Sequence, residues 1–218
     1  MLMKLLDLFC GEGLAAWGYW RSGRFTEIVG VDISNMKPRY AFDFVQGDAL
    51  ALDYKFLMQF DFIHASPPCQ AYSKMTPREA RKNHPKLIAG THLMLVAAGK
   101  PYVIENVEGS GRELKPNLIL SGQDVGLPML RKRYFHLSSG CRINLSSAAY
   151  VNELRATNLQ IHGGDYVKRD TLIEAFGLET IPLGKRRVLT REGIEQGIPP
   201  AFTRMIAEML FPDKALIA

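Results

Sequence analysis

The stretch Ser66-Pro67-Pro68-Cys69-Gln70-Ala71-Tyr72-Ser73 decides how the rest of the sequence is interpreted. It follows a short apolar run, residues 60–65, that is typical of a buried strand, and the two prolines then end that strand and stiffen the chain. A cysteine at the carboxyl end of a strand lies at the edge where open α/β sheets bind ligands. A lone cysteine is most often a small buried apolar residue. A rigid, exposed turn near arginines would instead lower the pKa of the Cys69 thiol and make it a nucleophile.

Length and composition restrict the class of protein. The 218 residues are enough for one domain with a real core, and the net charge of +5 fits a polyanionic partner. Three cysteines without a Cys-x-x-Cys pair argue against a disulfide framework and structural zinc, and for a reducing compartment. The sequence has no signal-peptide pattern and no apolar run of the roughly 20 residues that a membrane span needs. We therefore expect a cytoplasmic protein without a membrane partner.

The N-terminal part has the pattern of a strand, a glycine turn and a helix. Residues 2–9 predict the first strand, Gly11 and Gly13 the turn, and residues 14–21 a helix closed by Gly23. Such a turn lets the backbone approach a ligand closely, although a tight connection without a ligand gives the same signal. Residues 26–31 predict the second strand, and Asp32 at its end can accept hydrogen bonds from a ribose or cap a turn.

The remaining elements continue the alternation of strands and helices. The predicted strands are residues 44–45, 60–65, 101–104, 117–121 and 134–137, and the predicted helices are residues 50–59, 87–98 and 201–211. This order predicts an α/β fold with a mostly parallel sheet and helices on both faces. Glu105 then lies at the same sheet edge as Cys69. The basic segment 74–86 is either a solvated face or a mobile loop that contacts phosphates.

Several motifs resemble those of the DNA cytosine carbon-5 methyltransferases, in particular short phage-type members. The motifs occur in that family's order: Asp7-Leu8-Phe9-Cys10-Gly11-Glu12-Gly13, Pro67-Pro68-Cys69-Gln70-Ala71-Tyr72-Ser73, Glu105-Asn106-Val107, GLPMLRKRYF at residues 126–135, and a last motif at residues 190–206. Two positions depart from the pattern: Met129 stands where the family has glutamine, and Glu195-Gln196-Gly197 replaces Gly-Asn-Ser. The resemblance implies the Rossmann-like fold of S-adenosylmethionine-dependent methyltransferases and a bacterial or phage-infected host cell.

The resemblance also implies a covalent reaction on a cytosine that has been flipped out of the duplex. Cys69 would attack ring carbon-6, which converts the ring to an enamine whose carbon-5 can take a methyl group. Glu105 would hydrogen-bond ring nitrogen-3 and the exocyclic amine. Arg133 would donate to the carbonyl oxygen of the base, with Arg131 as its support or as a phosphate contact.

Cofactor and substrate contacts follow from the same resemblance. The methyl donor would be S-adenosylmethionine, with Phe9, Gly11 and Gly13 lining its turn, Asp32 on the ribose hydroxyls and Asp48 on the adenine amine. The partner would be double-stranded DNA, bound by a monomer that holds no metal. The residues expected to contact DNA are Gln70, Ser73, Lys74 and Arg78.

The motif order divides the chain within a single domain. Residues 1–137 would form the catalytic and cofactor-binding core, residues 138–187 an abbreviated target-recognition segment, and residues 188–218 a C-terminal helix that completes the core. The recognition segment looks irregular and contains glycine, so we expect it to make few base contacts and to read a short or degenerate site. Its cations suit phosphates better than bases: Lys168, Arg169, Lys185, Arg186 and Arg187.

Three alternatives remain open from the sequence. The tRNA-modifying branch of the family would share the same residues. Enzymes that methylate the exocyclic amine of cytosine also carry Ser-Pro-Pro, but they place an aromatic ring where this chain has Cys69. A degenerate member that only binds nucleic acid is the third alternative, and Met129 is its best support.

Overall fold

A computed structural model describes residues 3–139, 141 and 168–212 of the chain. The strands are β1 (Met3–Leu8), β2 (Phe25–Asp32), β3 (Asp43–Gln46), β4 (Phe62–Ala65), β5 (Tyr102–Asn106), β6 (Leu118–Leu120) and β7 (Arg133–Leu137). They form one sheet in the order β3-β2-β1-β4-β5-β7-β6, in which β7 is antiparallel to both of its neighbours and the other pairs are parallel. The predicted α/β fold with a mostly parallel sheet is confirmed.

Helices cover both faces of this sheet. They are α1 (Leu14–Arg21), α2 (Tyr54–Leu57), α3 (Arg78–Arg81), α4 (Ile88–Ala98), α5 (Gly111–Leu114), α6 (Arg169–Ala175), α7 (Leu183–Arg186), α8 (Arg191–Gln196) and α9 (Pro200–Leu210). Because side chains alternate along a strand, Leu5 of β1 packs in one core with α1 and α9, while Leu6 packs in a second core with α4. In the described part of the chain, no helix combines the length and the apolar character needed to cross a membrane.

The first and last helices pack directly against each other. Gly18 of α1 is buried there, and a Cβ at this position would lie 2.1 Å from the carbonyl oxygen of Pro200. Thr203 of α9 donates its hydroxyl to the carbonyl of Ala15 at 2.7 Å. Pro200 stands at the first turn of α9, where its missing N–H costs nothing. The C-terminal helix is therefore part of the same core as the first strand-turn-helix unit.

Helix α1 matches the predicted residues 14–21, and the turn before it needs a left-handed backbone. Gly11 has φ = 50° and Gly13 has φ = 85°, which only glycine adopts at no steric cost. Phe9 has φ = 57° without being glycine, so the end of β1 is held in a conformation that costs about 1–3 kcal/mol. Strained backbone of this kind concentrates at ligand sites.

Two expectations about the elements were wrong. Residues 50–59 do not form one helix, because Asp48 and Asp53 each accept a hydrogen bond from the backbone two residues later and start separate short turns. The end of the predicted irregular segment 138–187 contains α6 and α7, and α6 buries Leu172 and Ile173. Most of the predicted recognition segment, residues 142–167, lies outside the described residues.

Candidate active site

A cleft of about 580 Å³ opens at the carboxyl edge of the sheet. Its lining includes all five residues predicted to bind the cofactor: Phe9, Gly11, Gly13, Asp32 and Asp48. Cys69, Glu105 and Arg133 line the same cleft, whereas Arg131 does not. The structure thus brings three of the four catalytic candidates together with the glycine turn.

The loop that carries Cys69 is fixed to the neighbouring strand by Asn106. Asn106, at the end of β5, donates its side-chain amide to the carbonyl of Pro67 at 2.8 Å, and its own oxygen accepts from the Val107 backbone at 2.9 Å. The side chain is 1% exposed, so neither bond competes with water. The Pro67-Pro68-Cys69 turn is therefore held both by its prolines and by a buried hydrogen bond.

A buried histidine fixes the start of the same loop. Nδ1 of His64 lies 3.0 Å from the hydroxyl of Tyr19, and Nε2 lies 2.7 Å from the hydroxyl of Ser66. Burial lowers the pKa of His64 to about 3, so the ring is neutral and can donate with one nitrogen and accept with the other. This chain of contacts, which the sequence analysis missed, connects α1 to the residue that precedes the proline pair.

Glu105 and Arg133 form a buried pair beside Cys69. Nε of Arg133 lies 2.8 Å from Oε1 of Glu105, with the two side chains 12% and 7% exposed. Oε1 nevertheless has no aligned hydrogen-bond donor among the described residues, so the contact is an ion pair and leaves this acceptor unsatisfied. Burial raises the pKa of Glu105, and the charges of Arg133 and Arg131 lower it in part. The effect of burial is the larger one, so the pKa of Glu105 stays above its ordinary value.

The lowered pKa that we expected for Cys69 is not what the structure indicates. Burial and the negative charge of Glu105 raise the pKa of the Cys69 thiol, and the opposite effects of Arg133 and Arg131 are smaller. The loop is also less exposed than the sequence suggested, since Cys69 is only partly accessible. A protonated Glu105 would remove the negative neighbour and leave the two arginines, which favour the thiolate.

Arg131 makes its contacts inside the protein. Its guanidinium donates to the carbonyls of Glu195 at 2.6 Å and Gly197 at 3.1 Å, and it lies over the ring of Phe176 at 5.1 Å. Its Nε is buried, so the side chain is not placed to meet a phosphate in solvent. These contacts argue against the phosphate alternative for Arg131, and the side chain supports the segment around residues 195–197.

Asp32 has a structural contact as well as a place in the cleft. One of its carboxylate oxygens accepts from the backbone N–H of Gly11 at 3.0 Å, and the other accepts from Ser34 at 2.9 Å. A carboxylate has about four lone-pair sites, so both oxygens keep capacity for a ligand hydroxyl. Asp48 also lines the cleft, and one of its oxygens accepts from the backbone N–H of Leu50 at 2.9 Å.

Residues 190–198, which we call the C-terminal wall, complete the cleft. Thr190, Gly193, Gly197 and Ile198 line it together with the glycine turn. Glu12 accepts from both the backbone N–H and the hydroxyl of Thr190, each at 2.7 Å. The sequence analysis did not assign Glu12, because its partner is 178 residues away and no local pattern indicates the contact.

Of the four residues predicted to contact DNA, Gln70 lines the cleft, and Ser73, Lys74 and Arg78 follow it in sequence. The buried Oε1 of Gln70 has no hydrogen-bond partner among the described residues. The hydroxyl of Ser73 accepts from the Met75 backbone at 3.2 Å, and Lys74 pairs with Glu108 at 2.8 Å on the surface. Arg78 is exposed on α3.

Other cations that we expected to contact phosphates have partners within the chain. In the basic segment 74–86, Arg81 donates to the carbonyls of Thr76 and Lys74, which fixes part of the expected mobile loop. Further along, Arg169 donates to the carbonyl of Leu189, and Arg186 donates to that of Glu179. These three guanidinium groups stabilise local backbone, which argues against the expected phosphate contacts of Arg169 and Arg186.

Comparisons with known proteins agree with this geometry. A family model described as "C-5 cytosine-specific DNA methylase" matches residues 3–117. The solved structure of the Entamoeba histolytica methyltransferase EhMeth is 16% identical, has a TM-score of 0.59, and the match covers 98% of this chain and 99% of that one. S. pombe Dnmt2 methyltransferase is 18% identical with a TM-score of 0.47, and the match covers 63% of this chain and 49% of that one, so this chain spans about half of its length. A search of curated protein sequences gave no match.

The sheet order with one antiparallel strand is that of the Rossmann-like fold found in S-adenosylmethionine-dependent methyltransferases. Since the family model covers more than half of the sequence, the chain belongs to the C-5 cytosine-specific DNA methylase family. The methyl donor of that family is S-adenosylmethionine. The cleft fits it, because the turn at Gly11 leaves open space, and Asp32 and Asp48 present carboxylates for hydroxyl and amine groups. The described residues contain no group of three or more metal-ligating side chains.

Proposed function

We propose that this protein methylates carbon-5 of cytosine in DNA through a covalent adduct between Cys69 and a flipped base. The observation that carries the proposal is the meeting of Cys69, Glu105 and Arg133 in one cleft with the glycine turn. A nucleophile, an acid and a cation in one cleft are what attack on a pyrimidine ring requires.

The proposed chemistry requires a proton on Glu105 and a thiolate on Cys69. A protonated Glu105 would give its proton to ring nitrogen-3 while the Cys69 sulfur forms a bond to carbon-6, and burial raises the pKa of Glu105 in the direction that favours this proton. The unsatisfied Oε1 of Glu105 is an acceptor for the exocyclic amine of the same base. The electron pair that leaves the double bond between carbons 5 and 6 makes carbon-5 nucleophilic.

Arg133 supports this step by its charge. Its guanidinium lies against Glu105 and opposes the rise in the pKa of Cys69 that burial causes, so its charge favours the thiolate and suits the carbonyl oxygen of the base. The cofactor, when bound, supplies an electrophilic methyl group for carbon-5. Loss of the carbon-5 proton to solvent and return of the nitrogen-3 proton to Glu105 then break the carbon–sulfur bond and regenerate Cys69.

We propose that DNA binds at the catalytic loop and at the basic residues that follow it. Gln70 and Ser73 belong to the catalytic loop, and Lys74 and Arg78 extend it with positive charge. Contacts of this kind go mainly to phosphates and position the duplex.

We also propose the division of the chain into a core at residues 1–137, a small recognition segment at residues 138–187 and a helix at residues 188–218 that completes the core.

The central experiment is adduct trapping. DNA that contains 5-fluorocytosine should form a stable protein–DNA adduct in the presence of S-adenosylmethionine, because fluorine on carbon-5 blocks the final proton loss. Cys69→Ala should form no adduct and should not methylate normal DNA. Methylation by Cys69→Ala or Cys69→Ser at the wild-type rate would contradict a covalent mechanism.

Substrate and product are determined in parallel arms of the same assay. Labelled methyl transfer is measured on duplex DNA and on tRNA, followed by chromatography of the nucleosides. 5-Methylcytosine in DNA supports the proposal, 5-methylcytosine in tRNA alone selects the RNA substrate, and N4-methylcytosine contradicts attack through Cys69. Binding of DNA without methyl transfer to either nucleic acid would indicate a degenerate member.

A further inference from the structure

Glu12 holds the two ends of the chain together at the cofactor cleft. Its carboxylate accepts two hydrogen bonds of 2.7 Å from one residue, the backbone N–H and the hydroxyl of Thr190. The side chain is 5% exposed, and Nε of Arg39 lies 3.6 Å from Oε1. Bonds from two donors to an ionised carboxylate belong to the stronger class of protein hydrogen bonds.

Gly193 of the C-terminal wall packs closely against this contact. Gly193 lies directly on the carboxylate, where a Cβ would be 2.1 Å from Cδ of Glu12. The Thr190 hydroxyl that donates to Glu12 also accepts from the Gly193 N–H at 2.9 Å, which starts α8. One hydroxyl therefore connects the carboxylate to the first turn of the helix that forms the C-terminal wall.

The position of Glu12 makes this contact relevant to ligand binding. Glu12 stands between Gly11 and Gly13, the residues whose left-handed backbone forms the turn, and all three line the cleft. The residues on the opposite side of the contact, Thr190 and Gly193, line it too. A displacement of the wall would change the shape of the cleft on one whole side.

We propose that Glu12 is a positioning residue for S-adenosylmethionine: it fastens the C-terminal wall to the glycine turn, so that the donor site is closed on both sides before the ligand binds. This proposal rests on the methyltransfer function of the cleft. Glu12 acts through Thr190 and the wall, so it need not touch the donor itself. A site formed in advance binds more tightly, because the ligand does not have to order the wall.

The test is the affinity for S-adenosylhomocysteine, measured by titration calorimetry on the full chain. We expect Glu12→Ala to raise the Kd about tenfold or more, since two charge-assisted bonds are lost. Glu12→Gln keeps one acceptor oxygen and should give a smaller loss. Thr190→Val removes the hydroxyl and keeps the N–H, so it should weaken binding in part, whereas Thr190→Ser keeps both donors and should bind like the wild type.

A matched control separates positioning from a general effect on charge or stability. Glu27 pairs with Lys4 on the surface of β2 at 2.6 Å, and Glu27→Gln should leave both the Kd and the melting temperature unchanged. In steady-state assays, the Glu12 variants should raise the KM for the donor and leave the KM for DNA unchanged. A merely structural role would lower the melting temperature and leave the KM for the donor unchanged.

A double-mutant cycle with Glu12→Gln and Thr190→Val protects the test against poor folding of the alanine variant. The losses of affinity should be clearly non-additive, because both changes remove the same contact. Additive losses, or a wild-type Kd in Glu12→Gln and Thr190→Val, would overturn the proposal. A wild-type protein that does not bind S-adenosylhomocysteine would instead contradict the proposed function, so the two failures are distinguishable.

Discussion

Replacement of Asn106 by alanine should reduce catalysis more than it reduces stability. The change removes the 2.8 Å bond to the Pro67 carbonyl and leaves that carbonyl without its side-chain donor. Loss of a buried hydrogen-bond partner costs about 1–3 kcal/mol. For a chain of this size each kcal/mol lowers the melting temperature by roughly 2–4 °C. Because the bond fixes the loop that carries Cys69, a displacement of about 1 Å could reduce kcat on the order of 100-fold.

The chain offers a matched control for this experiment. Asn117 also bridges to backbone, donating to the Leu137 carbonyl and accepting from the Leu137 N–H, each at 2.8 Å, but it does not line the cleft. Asn117→Ala should lower the melting temperature and leave kcat unchanged. The assays are differential scanning calorimetry and single-turnover methyl transfer with saturating S-adenosylmethionine. Equal kcat values in the two variants would refute the argument that Asn106 positions the catalytic loop.

Three further changes test other parts of the site. Burial raises the pKa of Glu105 above its ordinary value of 4.5, so the contribution of this carboxyl to stability is fully present below pH 4.5 and is lost as pH rises through the folded-state pKa. The melting temperature of the wild type, relative to that of Glu105→Gln, should therefore fall with rising pH. A difference that does not change with pH would contradict the raised pKa. Gly193→Ala should weaken binding of S-adenosylhomocysteine because its Cβ would collide with the carboxylate that fastens the C-terminal wall, whereas Gly184→Ala, which meets nothing within 4 Å, should bind normally. Asp32→Ala should weaken binding of S-adenosylhomocysteine and lower the melting temperature, because Asp32 accepts from the Gly11 N–H. Asp32→Asn keeps an acceptor oxygen and should retain more of the affinity and of the melting temperature. Equal effects of the two changes would argue against the Gly11 contact.

The parts of the fold that follow from local sequence were predictable. The helix at residues 14–21 begins after a left-handed glycine and ends before another, so its bounds depend only on neighbouring residues. Three of the four catalytic candidates meet because the carboxyl ends of parallel strands share one edge. A local signal was also missed: Leu172, Ile173 and Phe176 have the spacing of a helix that packs on a core, although glycines and basic residues surround them.

The rest depended on contacts between distant residues. Arg131 and Arg133 are two residues apart and were expected to act side by side, yet Arg131 contacts a carbonyl more than 60 residues away while Arg133 contacts Glu105. The pKa of Cys69 depends on how deeply the loop is buried, which the loop sequence alone does not specify. Likewise, the pairing of His64 with Tyr19 requires the packing of α1 on the sheet.

The contact between Glu12 and Thr190 has a consequence during synthesis of the protein. Ribosomes produce the glycine turn and Cys69 before residues 190–198, so the wall that closes the donor site is added after both. A chain released before residue 190 would carry Cys69 in its loop and lack one side of the donor site. Such fragments would hold the Cys69 thiol without a complete donor site, so premature termination should yield chains that do not transfer methyl groups.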